Sequence, residues 1–203
     1  MAPIEKGQPW GEPGGLPDEG IVVATDAEAR AVLEEARRRH RPFPPIGLAG
    51  GDLCRTLGGG GDVARLRSPK AMRFHVDVGE ALLDGRLHLF VAHLVAHTPL
   101  WGRVFVAMNA QRRRDWLLGP RAHPGDGLLD IYEAALGPGA RLAVRARLPH
   151  GVHMPHPGID EQRVGAAQTT FDRSATVALD GVRTGRARTI SVRVQPAALT
   201  VVV

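Results

Sequence analysis

The sequence predicts an α+β fold: a β-rich, sandwich-like C-terminal domain joined to a small, incomplete α/β layer on its N-terminal side. Three observations predict it. Apolar residues recur with a period near 3.6 between residues 26 and 39 and with a period of 2 after residue 70. A short apolar run stands on either side of the helical stretch. Through the second half, Asp-Gly dipeptides separate apolar runs in the manner of two-residue hairpins.

Residues 1–20 hold four prolines and five glycines around a lone Trp10, which predicts a lead-in that drapes over the surface. Order is expected from Ile21, where IVVA reads as a strand. Thr25-Asp26-Ala27-Glu28 has the spacing in which a hydroxyl and a carboxylate satisfy free amides at a helix start. The helix carries Ala29, Val32, Leu33 and Ala36 on one face and ends in Arg37-Arg38-Arg39-His40, cations suited to the negative end of its dipole. Pro42, Pro44 and Pro45 stop it, and Ile46–Ala49 reads as a second strand. Two strands and one helix cannot cover both faces of a parallel sheet, so either these strands join something later in the chain or the layer is incomplete. Residues 21–62 therefore form the partial α/β layer and 63–203 the β-rich domain. In the latter, Phe74, Val76 and Val78 alternate with His75 and Asp77, and Asp84-Gly85 turns a hairpin. Runs at 103–109, 127–136, 176–181, 187–194 and 198–203 continue the pattern, and 140–148 is its one helix, stopped by Pro149.

A chain of 203 residues with 43% hydrophobic content can bury a core; it has no apolar run long enough to span a membrane, and residues 1–15 lack the apolar centre expected of a secretion signal. The expected location is cytoplasmic, which the single Cys54 suits. A net charge of +5 raises the alternative of a basic β protein binding RNA. The arginines are scattered and only 4% of residues are aromatic, so no nucleic acid is expected as partner.

Several places could carry chemistry. Asp126 sits in a Pro-Gly-Asp-Gly turn with Asp130 four residues on, a pattern that suits either Mg²⁺ or an ordinary turn. Asp180-Gly181 is a second hairpin turn whose carboxylate is either a general base or a turn former. His150, His153 and His156 recur every third residue in a proline-stiffened segment, which reads as a histidine-rich loop, with zinc as the alternative. His93 and His97 share a strand face but stand roughly 13 Å apart, too far for one ion. Cys54 reads as a small buried hydrophobe rather than a nucleophile.

Taken together and in order, three pieces resemble the bacterial diacylglycerol kinases and related lipid kinases, whose fold is akin to that of NAD kinases. Asp52-Leu53-Cys54-Arg55-Thr56-Leu57-Gly58 is similar to the family's N-D-x-A-R-x-L-G element. Pro120-Arg121-Ala122 with Asp126-Gly127-Leu128-Leu129-Asp130 is similar to P-x-A-x-x-x-D-G-L-L-D. His153 and His156-Pro157-Gly158, followed by Asp180-Gly181, resemble the late H-x-x-H-P-G and D-G-E landmarks. The resemblance spans residues 20–203 and implies a nucleotide-binding α/β domain, a β domain and a site between them. It implies that Gly50, Gly51, Asp52 and Arg55 line the cleft. It further implies that Asp126, with the carbonyls of His123 and Leu128, holds Mg²⁺, and that Asp180 deprotonates a lipid hydroxyl attacking ATP.

Two departures redirect that expectation. The family's G-G-D-G-T phosphate loop occurs nowhere in the chain, and Val182 stands where the family carries Glu after Asp-Gly. Because phosphoryl transfer depends on positioning and charge compensation, losing the cradle removes the main source of rate. The expectation is a lipid-kinase-like protein with a truncated nucleotide domain and weak or no activity, binding a lipid, a small molecule or a partner, with a homodimer covering exposed edges. The alternative is an active kinase that uses Mg²⁺ and ATP.

Overall fold

The computed structural model describes residues 10–203, so the first part of the expected lead-in lies outside the described residues. In chain order the strands are β1 (Glu12–Pro13), β2 (Ile21–Val23), β3 (Ile46–Leu48), β4 (Met72–Leu83), β5 (Arg86–Phe90), β6 (His93–His97), β7 (Val104–Met108), β8 (Leu129–Ala134), β9 (Ile159–Val164), β10 (Ala166–Leu179) and β11 (Val182–Val202). The helices are α1 (Asp26–Arg38), α2 (Gly51–Thr56), α3 (Val63–Leu66) and α4 (Pro138–Arg147).

The fold is α+β, and the first strand–helix–strand unit forms as its sequence dictates. Thr25 caps α1, its hydroxyl accepting the Glu28 N–H at 3.2 Å, while the Glu28 carboxylate reaches back to the Ala24 N–H at 2.7 Å. Ala29, Leu33 and Ala36 turn inward. The two short strands do join something later: β2 pairs in parallel with β3, and β3 pairs in parallel with the far end of β11, Val201 opposite Ile46 and Val202 opposite Gly47. The α/β layer and the β-rich part thus share one sheet. They also share one core, in which Leu33, Ile46, Leu48 and Leu53 pack with Val76, Val78, Leu199 and Val201.

The sheet runs β1-β4-β11-β10-β6-β7-β8-β9, with β5 folded back on β4. Only Gly165 separates β9 from β10, so the strand path returns on itself. A second core gathers Phe90, Leu94, Phe105, Leu129, Phe171, Val177 and Ile190 from β5, β6, β7, β8, β10 and β11. Asp84 and Gly85 take φ of 48° and 83°, and Asp180 and Gly181 take 50° and 79°, the left-handed pair that a type I′ hairpin requires.

Three expectations change. Residues 10–20 do more than drape: Leu16 is buried against Leu66, Ala71 and Val202, and the Trp10 ring lies 4.8 Å from Phe74 and 4.3 Å from His123. The runs at 187–194 and 198–203 are one strand, β11, because Pro196 falls at an irregularity between Gln195 and Leu199 where the ladder to β4 shifts and no N–H is needed. Residues 159–164, where the sequence marks no strand, pair with β8 as β9.

Candidate functional site

The N-termini of α1 and α2 meet at a buried polar cluster. Asp26, the first residue of α1, sends its carboxylate across to α2, where it accepts the Asp52 N–H at 2.5 Å and the Leu53 N–H at 3.1 Å. Gly50 and Gly51 make this approach possible. A Cβ on Gly50 would lie 2.5 Å from the Ala24 carbonyl oxygen, and one on Gly51, which has φ of 99°, would lie 2.5 Å from an Asp26 carboxylate oxygen. The glycines that the sequence assigns to a ligand cleft therefore receive the chain's own backbone and carboxylate.

Asp52 is buried and fully engaged. One oxygen accepts the Arg114 N–H at 2.8 Å and an Arg55 guanidinium N–H at 2.5 Å; the other lies 3.0 Å from His93 Nε2. Burial pushes its carboxyl up, but His93 and Arg55 outweigh that and hold it below the ordinary range. Burial raises Asp26, partly opposed by its two amide bonds. His93 Nδ1 is buried without a partner.

Asp180 joins the same neighbourhood from the β10–β11 turn. Its Oδ1 accepts the N–H groups of Val91, Ala92 and His93 at 3.2, 2.9 and 3.2 Å, and its own N–H donates to the His93 carbonyl at 2.9 Å. Burial lifts its carboxyl to about 6, against the pull of His93 and the amides. The carboxylate thus pins the hairpin turn to the β5–β6 connection, and its second oxygen meets only the Val91 N–H, at 3.2 Å.

The Asp126 turn lies elsewhere, against β4 and β9. The Asp126 carboxylate pairs with the Arg163 guanidinium through Oδ2 and accepts the Leu128 N–H at 3.0 Å through Oδ1. The His123 carbonyl accepts from Gly125 at 2.8 Å and Asp126 at 3.3 Å. A guanidinium of the chain's own stands where Mg²⁺ would take the carboxylate, and Leu128 meets that carboxylate through its N–H. As arranged, these groups do not fit a resident divalent ion. Arg163 also pairs with Asp130 at 2.9 Å, and burial raises Asp130 to about 6 despite that partner. Among the described residues no three His, Cys, Asp or Glu side chains are arranged to hold a metal, and the three histidines of the proline-rich loop separate accordingly. His150 is exposed, His156 accepts the Gly158 N–H through Nδ1 at 3.0 Å, and His153 is buried. Cys54 is buried, its thiol donating to the Leu48 carbonyl at 3.2 Å.

A cavity of about 400 Å³ opens between α4 and the outer face of β6–β9. Val95, Val106, Tyr132, Val144, Leu148 and Ile159 wall it. It falls in the size range of roughly 300–1,000 Å³ typical of small-molecule sites.

Sequence reasoning missed four residues. Asp77 looked like an outward position of an alternating strand, yet it is fully buried and accepts the Gly127 and Ala197 N–H groups at 2.7 and 2.8 Å. His93 was seen only as a strand residue, and Arg163 lay in a stretch with no assigned structure. Asp26 was visible as part of the helix start, but nothing in the sequence pointed it at α2.

This architecture places the chain in a class of folds: a short α/β layer completed by the last strand of a large β domain, with polar groups gathered at their seam. The solved structures it resembles are three named, two of them provisionally, as diacylglycerol kinases of Bacillus anthracis str. Sterne. The first superposes with a TM-score of 0.68 at 14% identity, over 90% of this chain and 77% of that one. The second gives 0.66 at 13% over the same shares, and the third 0.57 at 16%, over 90% and 75%. The chain has a diacylglycerol-kinase-like fold. No family model matches it, and no curated protein matches it. No helix among the described residues is long and apolar enough to cross a membrane.

Proposed function

We propose that this chain is a lipid-kinase-like protein with weak or no phosphotransfer, which binds a lipid or a similarly apolar small molecule. The observation that carries the reading is the charge where α1 and α2 meet. Phosphoryl transfer needs donors and cations that cradle a triphosphate. Here the Asp52 and Leu53 amides are taken by Asp26 and the Ala24 amide by Glu28, so a phosphate would meet two carboxylates instead of open donors. The cavity beneath α4 supports the binding half of the reading, since its volume of about 400 Å³ and its apolar walls suit a small apolar molecule. Thermal unfolding with millimolar Mg·ATP tests the first half, because a ligand of the folded state raises the midpoint in proportion to RT ln(1 + [L]/Kd). The expected result is no shift and no phosphate transfer to dispersed diacylglycerol. A shift accompanied by transfer would overturn it.

One observation favours a second reading, an active Mg²⁺- and ATP-dependent lipid kinase. Burial brings Asp180 to about 6, nearer the working range of a general base than an ordinary carboxylate. Under that reading Asp180→Asn abolishes transfer; under the first it leaves ligand binding intact.

A further inference from the structure

The cavity beneath α4 carries a feature that an apolar ligand alone does not explain. Arg113, Arg141 and Arg145 line it, and none forms an ion pair among the described residues. Two of them stack on one ring: the guanidinium carbons of Arg113 and Arg145 lie 5.7 and 5.4 Å from the centre of Trp116. The Nε atoms of Arg113 and Arg141 are buried without a hydrogen-bond partner. Asp52, which acts on Arg113 from a distance, is already engaged by Arg55 and His93, so three cations around one cavity without an ion pair of their own favour an anion there. The same cavity holds His153, only 2% exposed, whose ring nitrogens make no well-formed hydrogen bond although the Leu118 carbonyl lies near one of them. At the mouth, Leu100 and Leu142 are 85% and 71% exposed. Apolar walls, cations without partners and an unused imidazole together define an amphipathic ligand with charge at one end.

We infer that the cavity takes a single-chain amphiphile with an anionic head: the chain lies along the β6–β9 face, and the carboxylate or phosphate is held by Arg113, Arg141 and Arg145. The inference rests on the ligand-binding reading above and names its ligand class, which is a charged amphiphile and not a neutral lipid alcohol. A free fatty acid and a monoacyl phospholipid share this chemistry.

Trp101 and Trp116 line the cavity, so quenching of intrinsic fluorescence reports occupancy of the full chain. The probes are dodecyl phosphate, laurate, dodecanol and dodecyltrimethylammonium, all below their micellar concentrations. The expected result is one saturable site for both anions, binding at least tenfold tighter than dodecanol, with no saturation by the cation. Laurate and dodecyl phosphate differ in affinity according to which source the head suits. The double variant Arg141→Gln, Arg145→Gln, which alters residues on an exposed helix, should weaken both anions at least tenfold and leave dodecanol unchanged. Ala134→Phe, which fills the cavity, should abolish all binding while circular dichroism stays native. Equal affinity for dodecanol and the anions would overturn the anionic head yet keep an apolar ligand. Failure of every probe to bind would overturn the ligand-binding reading itself. Binding to phosphatidylglycerol vesicles without binding to monomeric dodecyl phosphate would overturn the inference in favour of a membrane-docking face.

Discussion

The seam between α1 and α2 and the cavity beneath α4 are built on opposite principles. At the seam almost every polar group is matched from within the chain: Asp26 caps α2, and Asp52 joins His93, Arg55 and the Arg114 amide. In the cavity, Arg113, Arg141 and Arg145 stand without an ion pair, and the Nε atoms of Arg113 and Arg141 and the ring nitrogens of His153 lack a well-formed hydrogen bond. Satisfied polar groups specify a structure, whereas unsatisfied ones bordering a void are matched only from outside. The difference separates a region that holds the fold together from one that is available to a ligand, and it does so although the sequence resemblance points to the seam.

The largest expected effect is at the seam. Asp52→Ala deprives buried His93 of its only side-chain partner and leaves the Arg114 amide without an acceptor, so stability should fall by about 3 kcal/mol or more. Urea unfolding measures it, and a loss below about 1 kcal/mol would break the contrast. The next effect has a sign set by pH. With Asp180 at about 6 in the folded protein and near 3.8 when exposed, the native state binds the extra proton between those values. Stability therefore declines as pH rises from 4 to 6. Asp180→Asn keeps an oxygen for the three amides and removes the ionisation, so the protein should gain about 2 kcal/mol at pH 7 and lose part of that slope. Asp130, which behaves alike, maintains the remainder. Thr25→Ala should cost about 1 kcal/mol through its lost cap, or a few degrees in the melting temperature. At the cavity mouth, Leu142→Ser should stay within about 0.5 kcal/mol of the parent, because a side chain 71% exposed gives up little on truncation.

Local signals were legible in the sequence wherever local physics governs. The capped start of α1, both Asp-Gly hairpins, the helix before Pro149 and the burial of Cys54 follow from short-range rules. For β2 and β3 the sequence left a later partner or an incomplete layer open, and the structure realises the first through Val201 and Val202. What escaped depended on contacts between residues far apart in the chain. Alternation marked Asp77 as facing away from Val76 and Val78, which holds, but a period of two cannot reveal that the Asp126 loop covers that second face. The cavity escaped for the same reason: the apolar positions of α4 and of β6–β8 each read as core, and only the assembled structure leaves a gap between them.

The parallel pairing of β3 with β11 also bears on how the protein is made. Residues 46 and 47 wait for residues 201 and 202 before their ladder closes. During synthesis the first layer leaves the ribosome with one flank of its strands unpaired, for as long as it takes to translate some hundred and fifty codons. Such distant pairing slows folding, and it makes Val201 and Val202 the latch that fastens the first layer to the large sheet.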